Sequence, residues 1–285
     1  MRSLKFLSPA KLNLSLKVLG KRPDGYHQLK TIFERIDLCD EITLRANNAG
    51  QIRILSSHAS LPKGPKNLMY QAAHMLKEKY AVRQGVDIRI QKRIPIAAGL
   101  GGGSSNAATV LKGLNQLWRL SVPFSQLVQY GAAVGSDVPF FLYDGSWAIG
   151  TGRGEQIKKL LIATRLWHVL VVPRLRMYTK DVFRALNLKL TNFNDDVNIL
   201  LPYLRKSDVG KVGEFLSNDL ETPILQLRPH LLSLKEKLKN LNTLGVCFSG
   251  SGPSIFAIVR TQQQATMIRR QLIQRYRQVF VVRTF

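Results

Sequence analysis

The feature that most constrains this chain is the run Ala97-Ala98-Gly99-Leu100-Gly101-Gly102-Gly103-Ser104-Ser105. Ahead of it Val86, Ile88 and Ile90 alternate with Asp87, Arg89 and Gln91, the period-two pattern of a strand that runs on toward Ile94 and Pro95. Behind it Asn106, Ala107, Ala108, Leu111, Leu114 and Trp118 fall at helical spacing. A glycine-rich loop between a strand and a helix predicts an anion site. The first-turn N–H groups of a helix lack partners, and the aligned peptide dipoles favour negative charge there. Glycines let those amides approach a phosphate with no Cβ in the way. A plain strand-to-helix turn does not need four glycines and two serines between Gly99 and Ser105.

Neither common phosphate motif fits. Walker A requires a Lys ahead of its Ser or Thr, and the loop has none. The dinucleotide fingerprint fails because Ser104 or Asn106 stands where its last glycine belongs, and no acidic residue lies between Asp87 and Asp137 to hold a ribose.

Lys11 to Val18 alternates strictly, with Leu12, Leu14, Leu16 and Val18 on one face and Lys11, Asn13, Ser15 and Lys17 on the other, which predicts a half-buried strand with a polar face. Further strands are expected at 29–38, 42–44, 52–55, 167–172, 246–248, 255–259 and 280–282. Helices are expected after Asn67, at 125–134, 179–186, 209–220, 230–241 and 262–276. Strands and helices without regular alternation indicate an α+β fold, with a boundary placed near Gly152 to Lys159.

Two cysteines far apart, Cys39 and Cys247, argue against a disulfide framework or a cysteine-ligated metal and point to a reducing cytoplasm. No apolar run is long enough to span a bilayer, so a soluble chain with no membrane role is expected. The net charge is +24, divided as 20 − 9 = +11 over residues 1–150 and 22 − 9 = +13 over the rest. Spread in this way, it is a weak signal for nucleic acid.

The stretch from Pro95 to Ala108 resembles the ATP loop of the galactokinase, homoserine kinase, mevalonate kinase and phosphomevalonate kinase superfamily. Four further motifs follow the order found in the 4-diphosphocytidyl-2-C-methyl-D-erythritol kinase family: Pro9-Ala10-Lys11-Leu12-Asn13-Leu14, Arg22-Pro23-Asp24-Gly25-Tyr26-His27, Gly135-Ser136-Asp137-Val138-Pro139-Phe140 and Gly250-Ser251-Gly252-Pro253-Ser254. The resemblance implies an ATP-binding domain over residues 1–155 and a substrate-binding domain over 156–285. It implies transfer of the ATP γ-phosphoryl group to the 2-hydroxyl of a cytidine diphosphate-linked methylerythritol, on the non-mevalonate route to isoprenoid precursors. ATP and Mg²⁺ are the implied cofactors, and the chain is expected to act as a monomer or weak homodimer. In this family Ala97 and Ala98 stand where glycines often precede Gly99, so that part of the loop is expected not to need positive φ.

The resemblance also assigns roles. Lys11 and Asp137 are the catalytic pair, with Asp137 as general base; the other readings are a helix-end cap for Asp137 and a solvated lysine for Lys11. Pro95, Ile96, Ala97, Ala98, Gly99, Leu100, Gly101, Gly102, Gly103, Ser104 and Ser105 are the ATP-loop residues, with Ser105 a candidate Mg²⁺ ligand alongside water or Asp137. Asn13 shares a strand face with Lys11 and is placed with the substrate. Tyr26, His27, Thr179 and Phe183 are assigned to the base, Tyr26 and Phe183 as walls and His27 as reader of its edge. Packing in the core is the other reading of Phe183. The 250–254 turn reads as a phosphate neighbour or a plain hairpin. The alternatives are another kinase of the superfamily, such as homoserine or mevalonate kinase, and a nucleic-acid binder using Arg260, Arg269, Arg270, Arg275, Arg277 and Arg283.

Overall fold

The computed structural model describes residues 2–188 and 196–285. The alternation around Lys11 belongs to a long strand, β1 (Ser3–Lys21), which turns at Arg22–Tyr26 and pairs antiparallel with β2 (His27–Asn47). There follow β3 (Ile52–Ser56), α1 (Leu68–Lys79), β4 (Gly85–Gln91), α2 (Gly102–Leu117), α3 (Phe124–Val134), α4 (Val138–Leu142), β5 (Trp147–Gly152) and β6 (Gln156–Leu160). The second part runs β7 (Trp167–Val171), α5 (Thr179–Ala185), α6 (Asp196–Arg205), α7 (Val209–Glu214), β8 (Ser217–Asn218), α8 (Glu221–Leu227), α9 (Leu231–Lys239), β9 (Gly245–Phe248), β10 (Ile255–Val259), α10 (Gln262–Leu272) and β11 (Val279–Arg283).

Two sheets result. The seven-stranded sheet has the order β3-β4-β2-β1-β8, with β5 on β2 and β6 on β5, and the four-stranded sheet has the order β11-β7-β10-β9. Pairing is antiparallel except at β3–β4 and β1–β8, which fits the expected α+β class. Because β6 joins the first sheet, the change of sheet falls between Leu160 and Trp167. Leu12 and Leu14 of β1 share a buried cluster with Leu170 and Phe256 of the second sheet, while α1 and α2 bury Ala72, Leu76, Leu111 and Leu114 in a cluster with β4. Each large apolar side chain so buried contributes roughly 1.5–3 kcal/mol, enough to hold both sheets against β1. Among the described residues no helix is long and apolar enough to cross a membrane.

Several expectations need correction. The polar face of β1 is not solvated: Lys11, Asn13, Ser15 and Lys17 are all buried, because β8, the glycine loop and the turn between β9 and β10 lie against the strand. A bulge between Asn13 and Ser15 also changes the facing, so Leu16 lines the same cleft as Lys11 and Asn13 instead of following Leu12 and Leu14. The strands expected at 29–38 and 42–44 are one strand, β2, whose extra residues Asp37 and Leu38 bulge opposite Pro9 and Ala10. The helices expected at 209–220 and 262–276 end early, at Glu214 and Leu272. β5, β6, β8, α4, α6 and α8 were not anticipated.

Beyond the β2 bulge, Asp40 is fully buried and ties the glycine loop to the sheet. Its carboxylate accepts from Arg93 N at 2.7 Å, Ile94 N at 2.9 Å, Asn106 Nδ2 at 2.8 Å and Lys92 Nζ at 2.7 Å. Burial pushes the Lys92 ammonium below the ordinary lysine range, and Asp40 opposes that shift. Asp40→Ala leaves a buried cation and two amides without their acceptor, so urea unfolding should show a loss of about 3–5 kcal/mol. A loss under about 1 kcal/mol would mean that water replaces the carboxylate.

Candidate active site

The loop from Ala97 to Gly101 gives up regular structure because its backbone must turn sharply. Gly99 has φ +75 and Gly101, the N-cap of α2, has φ +65. Ala97 has φ 55, so positive φ is used even where a Cβ opposes it, contrary to the expectation for this part of the loop. The glycines ahead of Gly99 in related loops were the available signal. The first intrahelical bond of α2 is Ser105 N–H to Gly101 O at 2.9 Å, which leaves the Gly102, Gly103 and Ser104 amides without an intrahelical acceptor. They face a cleft of about 510 Å³.

Three contacts hold the loop in place. Lys11 N–H donates to Leu100 O at 3.0 Å, docking it on β1. Ser249 Oγ donates to Gly99 O at 3.0 Å from the turn between β9 and β10. A Cβ on Gly99 would stand 2.2 Å from Ser249 O and 2.9 Å from Gly252 O, so only glycine allows the two turns to touch. Asn218 Nδ2 in turn donates to Phe248 O and Gly250 O and orients the second turn. Gly250, Ser251 and Gly252 therefore line the cleft, and the 250–254 segment is more than a hairpin end.

Lys11 and Asp137 meet on the opposite wall. Lys11 Nζ lies 3.7 Å from Asp137 Oδ2, and the same ammonium donates to Asn13 Oδ1 at 2.5 Å. Asn13 Nδ2 donates to Thr31 Oγ1, which donates to Ser15 O, so the amide is fixed with its carbonyl toward the lysine. Lys11 is 4% exposed, and its burial pushes the ammonium below the ordinary lysine range while Asp137 pulls it back up. Asp137 sits at the N-cap of α4 but makes no side-chain capping bond, which removes the cap reading and leaves its carboxylate turned to the cleft.

Not every loop residue reaches the cleft. Ser104 lines it, but the Ser105 hydroxyl is fully buried against Ser8 Oγ at 2.8 Å, and Ser8 also accepts from Asn106. Ser105 is thus a link in the network that ends at Asp40 and does not line the cleft. Pro95 and Ile96 lie outside the lining, and Ile96 is exposed.

A second cavity of about 700 Å³ adjoins the first and is lined by Tyr26, His27, Thr179 and Phe183. Tyr26 is 55% exposed. The His27 and Phe183 rings stack on each other at 4.9 Å, so His27 forms one surface with Phe183. Burial, and next the Lys21 charge, push the His27 imidazole below its usual range, which favours the neutral ring with one donor and one acceptor. Thr179 Oγ1 lies 2.9 Å from Ser251 Oγ and joins α5 to the second glycine turn. Arg153, which the sequence reading did not single out, lines both cavities with its guanidinium 4.8 Å above the Tyr26 ring. Its position after a strand and between Gly152 and Gly154 was the only available signal.

The GHMP kinases N terminal domain matches residues 67–145 and the GHMP kinases C terminal domain matches residues 200–278. A glycine loop capped by a second turn, beside a buried lysine and an aspartate, is thus built on the frame of the GHMP small-molecule kinases. A solved homoserine kinase from Cytophaga hutchinsonii shares that fold at TM-score 0.77 and 22% identity, over 100% of this chain and 95% of its own. The 4-diphosphocytidyl-2-C-methyl-D-erythritol kinase of Exiguobacterium sibiricum is 40% identical over 97% of this chain and 96% of that protein. A crystal structure of 4-(cytidine 5'-diphospho)-2C-methyl-D-erythritol kinase superposes at TM-score 0.82, with 32% identity over 98% of both chains. The chain belongs to the 4-diphosphocytidyl-2-C-methyl-D-erythritol kinase family.

If the Lys11 charge is needed in the cleft, kcat/KM measured against pH should fall on the alkaline side. The lowered ammonium pKa places that fall below the value of about 10.4 of an ordinary lysine. A flat profile through that pH would show that the charge is not used.

Proposed function

We propose that the chain transfers the γ-phosphoryl group of ATP to the 2-hydroxyl of 4-diphosphocytidyl-2-C-methyl-D-erythritol, in the cytoplasm, on the non-mevalonate route to isoprenoid precursors. The observation that carries this reading is the Lys11–Asp137 pair facing unpaired helix amides in one cleft, which opens on the Tyr26–His27–Phe183 cavity. The names of the full-length relatives support the choice of substrate within the superfamily.

Phosphoryl transfer needs positioning, charge stabilisation and a group that takes the hydroxyl proton. The amides of Gly102, Gly103 and Ser104 receive phosphate oxygens at the positive end of α2. Asp137 accepts the hydroxyl proton. Lys11 meets the charge that builds on the transferring group, while Asn13 fixes the ammonium. Tyr26 stacks on the cytosine and the neutral His27 edge reads it, with Phe183 backing the imidazole. In this reading residues 1–155 hold ATP and residues 156–285 complete the substrate site, acting as a monomer or weak homodimer.

Magnesium suits the cleft. Among the described residues no group of three or more His, Cys, Asp or Glu could hold a metal ion by itself. Mg²⁺ is characteristically held by one or two carboxylates with substrate phosphates. Asp137 and the Ser104 hydroxyl, both on the cleft wall, are the residues that would hold it. Its chemistry there is to neutralise phosphate charge.

Purified protein should release ADP in a coupled assay when given ATP and the cytidylylated methylerythritol, and not with homoserine or mevalonate. The reverse preference would assign the cleft to another member of the superfamily. Asp137→Asn keeps the shape and removes the base, so kcat should drop by roughly two orders of magnitude or more with little change in KM. Near-normal turnover in that variant would make Asp137 structural. Because both groups serve one proton transfer, adding Lys11→Ala should cost far less than the product of the two single losses.

A further inference from the structure

The two cavities share five lining residues, Leu29, Ser136, Arg153, Thr179 and Phe183, and of these only Arg153 carries a charge. The second cavity is cationic, with Lys21, Arg153, Lys180 and Arg184 in its lining and no carboxylate. The acids near Arg153 do not occupy its fork. Glu155 accepts the Arg153 backbone N–H at 2.5 Å and stands 3.7 Å from Nε, so it holds the base of the side chain. Asp24 is taken by Arg22 at 2.9 Å. Among the described residues the two terminal nitrogens of Arg153 make no hydrogen bond, while the guanidinium carbon lies 4.8 Å from the centre of the Tyr26 ring. A fork held at its stem, placed over an aromatic ring and open at its tip suits bidentate recognition of a phosphate.

We propose that Arg153 is the residue that grips the diphosphate of the acceptor substrate, between the base cavity and the reacting hydroxyl. The inference rests on the function proposed above and adds a determinant of specificity: the acceptor must carry an anionic link of about this length between its base and its alcohol. Stacking by Tyr26 and hydrogen bonding by His27 act on the base alone, and Lys11 is already engaged by Asp137 and Asn13. Lys21, Lys180 and Arg184 line the base cavity alone, so of the cations in that cavity Arg153 is the one that also lines the cleft of the reacting hydroxyl, and selection of a nucleoside diphosphate over a free nucleoside falls to it. A lysine in its place would supply charge without the fork.

The test is equilibrium binding of cytidine and of cytidine diphosphate to protein whose glycine loop is filled with a non-hydrolysable ATP analogue. The wild-type protein should bind the diphosphate at least about 10-fold more tightly than the nucleoside. Arg153→Gln should cut that ratio by about 10- to 100-fold and leave cytidine affinity within about twofold, while Arg153→Lys restores part of it. In turnover, Arg153→Gln should raise KM for the acceptor and leave KM for ATP unchanged. An unchanged ratio in Arg153→Gln would overturn the proposal. So would an equal loss for both ligands, since that is the result if Arg153 merely props Tyr26. If the wild-type protein bound neither cytidine nor its diphosphate, the base-cavity reading would fail. Inorganic pyrophosphate then tests Arg153 by itself: binding lost in Arg153→Gln supports the anion site, and binding retained overturns it.

Discussion

Everything in the cleft depends on two glycine turns lying backbone against backbone. Gly99 contacts the Ser249–Gly252 turn so closely that any Cβ would collide with two carbonyl oxygens. A Cβ on Gly250 would in turn stand 3.2 Å from Lys11 Nζ and 3.3 Å from Asn13 Oδ1. One contact thus joins the loop before α2, the turn between β9 and β10, and the buried end of β1. A turn stiffened by side chains would hold these elements further apart, and the free amides of α2 would then face solvent instead of a cleft shared with Lys11.

That contact explains why a lysine can remain buried at the site. Removing an ammonium from water costs several kcal/mol, and the cost is met only when its hydrogen bonds are satisfied and an opposite charge is near. Asn13, held by Thr31, supplies one acceptor, and Asp137 supplies the charge at a distance too long for a hydrogen bond. The pair is therefore held loosely on the Asp137 side. A carboxylate not locked to its lysine is free to accept a proton from a third group, which a tight bidentate pair would not be.

The sequence disclosed the parts that follow from periodicity and turn chemistry. The glycine loop, the helix after it and the strand bearing Lys11 and Asn13 are read directly, because alternation and helical spacing are local properties. What stayed hidden depends on tertiary context. The alternation of β1 could not reveal its bulge, so Leu16 was placed on the wrong face, and a polar face that reads as solvated is buried by elements more than 200 residues away, such as β8. Asp40 interrupts an apolar pattern and reads as a break between strands, whereas its carboxylate serves as the acceptor that holds the loop. Ser105 was the candidate metal ligand and Ser104 a loop residue beside it, although both lie in the first helical turn. Only the direction of each side chain separates them, one toward Ser8 and the other toward the cleft.

The net charge of +24 takes on meaning through its placement. Charges separated by more than about 8 Å are largely screened at physiological ionic strength, so the total attracts anions to the molecule without choosing where they bind. Choice comes from cations whose partners leave them open to the cleft. Many exposed lysines and arginines are paired on the surface, as Lys211 is with Glu214 and Lys239 with Glu236, and such pairs add little field of their own. Lys21, Arg153, Lys180 and Arg184 ring one cavity whose lining holds no carboxylate, with Asp181 3.9 Å from Arg184 and Glu155 3.7 Å from Arg153 outside that lining, and the carboxylate in the lining of the neighbouring cleft, Asp137, is balanced by Lys11. Positive charge is therefore gathered around one cavity and reaches the neighbouring cleft through Arg153, the charged residue that the two linings share.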